Sequence, residues 1–567
     1  MPSRRRTRAL VSIALACASG VSALVAVPSG LATAEPLPNA DQPGGDRVVS
    51  AAAYGANLSF IGKGFGHGRG LSQFGSYGYA VERNLDWNQI LDTYYPNTTR
   101  GTADVNATIS TRLVDLDDVP AIVMHDGGRL TVGTYAPNAS VPGEFTAVMI
   151  RKNSVNPTQL DVYTGTGCDP NAAGAWTLAT TVSPVGDGLA ARVTVDATGR
   201  NDADTDLANL LAVCEPDGQK RWYRGSFLAW LDTGNAQRIA NVTSVEQYLR
   251  GVVPRESPAS WGDAGGGKGI NALKAQSVAA RSYALSESRY LPYAQTCDTQ
   301  TCQVYGGAAV ASSPTAALTR IEFDNTDRAV AETAGAVRLL NGTIARAEFS
   351  SSTGGWTAGG TFPSVEDLGD ATSINPNYNW QTTVARSTIE QRYPQLGTLL
   401  LVNVTKRNGL GQFGGRVRTV ELRGTDATVV LTGDEMRRTF GLKSDWFFVA
   451  PPFTDTPVTA VASAASGGYW MATTDGGVYN FGTAAWAGSM SGQPLNSPVI
   501  GMASSGTRAY WLLGRDGGIF SFGGAAFYGS TGNLKLNRPV VAMAARPQAD
   551  GYWFVASDGG IFSYGGA

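Results

Sequence analysis

Apolar positions between Val245 and Ser288 fall into two helical runs separated by glycines. Val245, Tyr248, Leu249 and Val252 recur at helical spacing. Pro254 disfavours helix in the residue before it, which predicts a helix end just ahead of Glu256. A second helix is predicted over about 271 to 288. There Ala272, Ala275, Ala279, Ser282 and Ser286 share a narrow face suited to close packing, while Lys274, Ser277 and Arg281 share another. Upstream, Trp87, Ile90, Leu91 and Tyr94 repeat at i, i+3, i+4 and i+7, with Asp86 and Gln89 placed to form a capping box and Pro96 as the stop.

Strand patterns occupy most of the remaining chain. From 104 to 220 short apolar runs alternate with Asn, Gly, Asp and Pro, which predicts a β-rich accessory region. Residues 337–340 and 344–349, split by Asn341-Gly342, give a hairpin signal. After 455 the pattern GYW…DGG-[IV]-[FY] appears three times, with Trp470, Trp511 and Trp553 at 41- and 42-residue spacing (511 − 470 and 553 − 511). That period is typical of propeller blades, and since propellers carry about four to eight blades the array over 455–567 reads as incomplete. Asp475, Asp516 and Asp558 fit turn chemistry better than ligation.

Composition narrows the class. Seventy glycines and 16% charged residues in 567 point to a strand- and loop-rich exported protein of more than one domain. A net charge of −2 argues against nucleic acid as a partner. Arg4, Arg5, Arg6 and Arg8, an apolar run to Val27 and small residues before Glu35 predict a signal peptide over 1–34, followed by a linker over 35–55. A retained membrane anchor is the rival reading of the apolar run. Without it, no membrane association is expected after cleavage. Four cysteines then remain, Cys168, Cys214, Cys297 and Cys302, and an even number in an exported chain favours disulfides. Of three pairings, Cys168 with Cys214 and Cys297 with Cys302 is the most economical.

Local context alone leaves Glu256 an ordinary charged residue and His67, within Gly62 to Gly70, a histidine in a glycine turn. Resemblance changes both readings. The segments YLRGVVPRESPASW and LKAQSVAARSYAL resemble the signature of the SpoIID/LytB family, the stage II sporulation protein D and amidase-enhancer group. GHGRGLSQFGSYGYA…ILDTYY resembles the GHGxGMSQxGA motif of that family, with Leu71 and Ser76 where Met and Ala are usual. Its position ahead of the glutamate segment resembles a circular permutation. The serine-rich SSSTGG after the hairpin, Asn375 to Trp380, and the stretch 432–447 extend the resemblance.

The resemblance implies an α+β SpoIID-like domain over 56–450, acting on peptidoglycan glycan strands outside the cell or at the cell wall. Glu256 would be the acid/base of a lytic transglycosylase, with substrate contacts from Lys274, Gln276, Arg281, His67, Ser72, Gln73, Ser351 and Ser352. It equally implies the alternative, a non-catalytic enhancer whose partner is a cell-wall amidase. Some family members hold zinc near the position of Cys297 and Cys302. The two histidines here, His67 and His125, are distant in sequence, so disulfides are preferred and no metal or cofactor is assigned.

Overall fold

The computed structural model describes residues 56–567, except for 128–129, 135–138, 185–189, 233, 450–456, 466–467, 482–483, 491–492 and 507. The expected signal peptide and linker lie outside the described residues. No helix among the described residues is long and apolar enough to cross a membrane.

Alternation of apolar and polar residues builds two broad sheets, of eight and seven strands. In Arg192–Ala197, for example, Val193 and Val195 point inward and are fully buried, and the residues between them do not. Inward residues of both sheets, such as Val123, Val148, Val162, Val193 and Ile239, meet in one core with Leu249, Val252 and Val253 of a helix. The region 104–220 is therefore not a separate accessory layer. Thr108–Arg112 pairs with Gln237–Ser244, Arg192–Ala197 pairs with Ser226–Leu231, and Lys220–Tyr223 joins Leu211–Cys214 to Ala309–Ala311. A strand buried on one face needs neighbours in register, and these neighbours lie outside the region.

Five helices matter for the site: α1 (Gln73–Val81), α2 (Trp87–Tyr94), α3 (Val245–Glu256), α4 (Ile270–Ser286) and α5 (Asp324–Ala331). The other four pack on α4, whose Ala272, Ala275, Ala279 and Ala280 are at most 2% exposed. Alanine at these positions lets backbones approach on several sides at once. The capping box of Asp86 and Gln89 forms at the start of α2. Asn341 and Gly342, at φ 52° and 80°, make the two-residue turn between Ala336–Leu340 and Thr343–Ile344.

Pro254 does not end α3, which runs on to Glu256. The proline forfeits the bond that its own nitrogen would have donated, but it sits in the last turn, and the helix closes beyond it through Ser257 N–H to Val253 O at 2.8 Å. Glu256 thus belongs to the helix rather than to the loop after it.

The ends of this domain are tied together. Asn57–Gly62 lies between Trp380–Ala385 and Phe447–Val449, and Leu71–Ser72 runs parallel to Phe349–Ser350. The structure joins Cys168 to Cys214 and Cys297 to Cys302.

The three C-terminal repeats form three antiparallel sheets of three strands each, where propeller blades have four. Successive sheets pack on one another, and no closed ring forms among the described residues. Trp470 and Trp511 are fully buried, each donating its Nε1–H to a carbonyl 15 residues on, at 2.8 Å. Asp475, Asp516 and Asp558 each accept the N–H of the glycine two residues ahead, which makes them turn residues.

Candidate active site

The glycine segment before α1 adopts a conformation that side chains would block. Gly68 and Gly70 have φ of 68° and 64°, and a Cβ on them would come 2.0 Å from Arg416 Nη2 and 1.9 Å from Glu348 O. This close approach brings Leu71–Ser72 onto Phe349–Ser350. Ser72 then caps α1, its Oγ accepting the Gly75 N–H at 3.0 Å. The next residue, Gln73, is buried and donates from Nε2 to Glu256 Oε2 at 2.8 Å.

The second oxygen of Glu256 is met from another direction. Oε1 accepts the Val304 N–H at 3.3 Å. Val304 follows Gln303, which is fully buried, accepts from Tyr248 Oη at 3.2 Å and donates to Ala280 O at 3.3 Å. Gln303 thereby fixes the backbone between α3 and α4, just beyond the Cys297–Cys302 disulfide. Trp261 acts on the opposite flank by packing against Phe74 and Tyr77 of α1, with ring centroids 5.4 and 5.1 Å away. Its contribution to the site is to hold the helix that carries Gln73.

Glu256 itself is half-buried. Burial raises its carboxyl above the ordinary glutamate range, opposed by the two hydrogen bonds and by the charge of Arg255. No other carboxylate is among the groups that shift it. A carboxyl raised in this way, with one donor on each oxygen, holds its proton to higher pH than an ordinary glutamate and can give it to a neighbouring acceptor.

Other residues expected at the site have different company. Arg281 is fully buried and clamps Glu246 through two bonds of 2.8 and 2.7 Å, while also donating to Ala336 O. Lys274 pairs with Glu332 at 2.5 Å. Both cations have structural partners and neither bonds Glu256. Gln276 is 1% exposed in α4, and neither its Oε1 nor its Nε2 has a protein partner. His67 makes no hydrogen bond to Glu256. Its Nδ1 accepts the Arg69 N–H at 3.0 Å, and burial, together with Arg69, Arg437 and Arg416, pulls it down to about 4 against the pull of Glu348. It is neutral at pH 7. His125 accepts the Gly127 N–H through Nδ1, a loop contact.

Ser72 and Ser352 converge on a feature the sequence did not suggest, a buried pair of acids. Asp370 accepts from Ser72 Oγ at 2.6 Å, Ser352 Oγ at 2.7 Å and Gly354 N–H at 2.7 Å. Asp367 accepts from Tyr94 Oη at 2.9 Å, Thr353 Oγ1 at 2.6 Å and Asp370 N–H at 3.2 Å. Burial and the charge of Asp370 push Asp367 up to about 8. Ser351 contributes its carbonyl, which accepts the Phe74 N–H at 3.1 Å. The only sequence signal was the i, i+3 spacing of two acids in EDLGD, which resembles a solvated loop.

Comparison with known proteins covers part of this arrangement. Residues 233–339 match the family model described as SpoIID, stage II sporulation protein. Over 109 residues the chain is 39% identical to an amidase enhancer of Bacillus subtilis (strain 168), a match covering 19% of this chain and 12% of that protein. The chain thus spans about an eighth of the length of that relative. Glu256, Val304 and α4 fall inside the family match, whereas Gln73 lies outside it.

Proposed function

We propose that the protein acts on peptidoglycan outside the cell, as a lytic transglycosylase that cuts glycan strands with Glu256 as single acid and base. The observation that carries this reading is the Glu256 carboxyl, raised by burial and aimed by Gln73 and Val304 from two distant parts of the chain. In the first step the protonated carboxyl gives its proton to the glycosidic oxygen as the bond to the muramic anomeric carbon breaks. In the second, the carboxylate takes the proton from the muramic 6-hydroxyl as that oxygen bonds to the same carbon, closing a 1,6-anhydro ring. The proton returns to Glu256 and no water is consumed. Positioned acid–base catalysis of this kind contributes roughly 10² to 10⁴-fold.

Digestion of denuded peptidoglycan by the full chain tests the reading, with anhydromuramic ends measured by mass spectrometry. Such ends appear with the native protein and fall at least about 10²-fold with Glu256→Gln. Unchanged yield in that variant removes Glu256 from the role. The second reading is suggested by the name of the Bacillus subtilis relative, an amidase enhancer. It predicts no glycan cleavage by this chain alone and faster release of stem peptides when a cell-wall amidase is added.

A further inference from the structure

A cavity of about 260 Å³ opens beside the buried acid pair, lined by Lys63, Arg83, Trp356, Glu366, Asp367 and Tyr378 among others. Lys63 is 3% exposed and has no carboxylate within ion-pair distance among the described residues. Its Nζ donates to Asn379 Oδ1 at 2.8 Å and stands 3.8 Å from the centroid of the Tyr378 ring. The lysine reaches this place because Gly354 has no side chain, a Cβ there falling 2.7 Å from Lys63 Cβ. Ammonium groups this deeply buried are ordinarily paired with an anion. Burial pulls Lys63 below the usual lysine range, and the charge of Asp370 opposes this only in part.

The remaining walls offer unused hydrogen-bonding capacity. The Trp356 indole N–H, the Tyr378 hydroxyl and the Arg83 and Glu366 side chains make no hydrogen bond or ion pair to other described residues. Asp367 closes the floor with both oxygens already engaged. Aromatic surface beside charged groups suits a pyranose ring, whose C–H face covers aromatic rings and whose hydroxyls need partners around its edge. The unpaired ammonium adds the demand for a negative group on that ring.

We infer that this cavity is a saccharide site for a sugar unit bearing a carboxylate, with Lys63 as the carboxylate partner and Trp356 and Tyr378 as the ring-binding walls. Neither Glu256 nor a residue that bonds it is among the lining residues. The inference rests on the glycan reading for its choice of probe, not for its geometry.

Isothermal titration of the full chain with N-acetylmuramic acid, and with N-acetylglucosamine as the comparator lacking the carboxylate, tests it. The expected result is saturable binding of the acid and at least about tenfold weaker binding of the comparator, since a charge-assisted bond is lost. Lys63→Met, checked for native circular dichroism, abolishes that discrimination. Trp356→Ala, at a half-exposed position and likewise checked for native circular dichroism, weakens both sugars. Absence of saturable binding, equal binding of the two sugars, or undiminished affinity in both variants overturns the site. Saturable binding of a short acidic peptide in place of the sugar overturns the ligand class. Glycan cleavage without probe binding sinks this inference alone, and probe binding without cleavage sinks the transglycosylase alone.

Discussion

Glu256 and the pair Asp367–Asp370 are carboxyls raised by the same cause, burial, yet they are answered differently by the protein around them. Each oxygen of Glu256 receives one donor, from Gln73 and from Val304. Asp370 receives three donors and Asp367 three more, from hydroxyls and backbone N–H groups fixed by α1, α2 and the 353–354 turn. A carboxyl oxygen accepts two bonds, so Glu256 keeps capacity for a substrate, whereas the aspartates spend most of theirs on joining chain segments. Raised pKa alone therefore does not mark a reactive acid.

Breaking this contrast gives four tests, the largest first. Glu256→Gln lowers glycan cleavage by roughly 10² to 10⁴-fold and leaves thermal unfolding unchanged. Asp370→Ala does the reverse first: three donors lose their acceptor, about 3 kcal/mol of stability goes, and calorimetry shows an earlier transition before any change in the chemistry is visible. Gln73→Ala costs about tenfold in rate, as expected for a bond to a charged group. Its pH profile carries the sharper prediction. Gln73 stabilises the ionised form of Glu256, so its removal lifts the carboxyl further, and the loss of rate on the alkaline side moves to higher pH. Rate loss without that displacement leaves Gln73 a packing residue.

The last test concerns stability against pH. Asp367 is raised in the folded state to about 8 from an ordinary 3.8, so the folded form holds its proton more tightly than the unfolded chain. The associated stability is present in full below about 4 and is lost as pH rises from there through about 8. Melting temperatures measured from pH 5 to 8 fall with pH in the native chain, and the slope flattens in Asp367→Asn. An unchanged slope assigns the drift to other groups.

Much of the local architecture was legible. The Asp86–Gln89 box, the Asn341-Gly342 turn and the helix over 270–286 follow from signals within a few residues of each other. Glu256 stood out through its segment, and Gln73 beside it through the resemblance of its motif, but Val304 gave no signal. Gln73 reaches it across 183 residues of sequence, and no periodicity encodes such a contact. Arg281 and Lys274 look alike on a helical wheel, and only the positions of Glu246 and Glu332 show that both are tied up. Lys63 gave no signal because its burial depends on Gly354, almost 300 residues away. Pro254 misled because the rule against proline weakens in a final turn.

The parallel pairing of Leu71–Ser72 with Phe349–Ser350 has a temporal consequence. Those partners are 278 positions apart (349 − 71), and Gln73 takes its direction from the first of them. At about 5 to 20 residues per second, a ribosome needs roughly 14 to 56 s to make the second partner after the first. Until then α1 can pack on α4 and Trp261, but the strand pairing that directs Gln73 toward Glu256 is missing. The order in which the two halves are made thus delays completion of the Glu256 environment in the nascent chain.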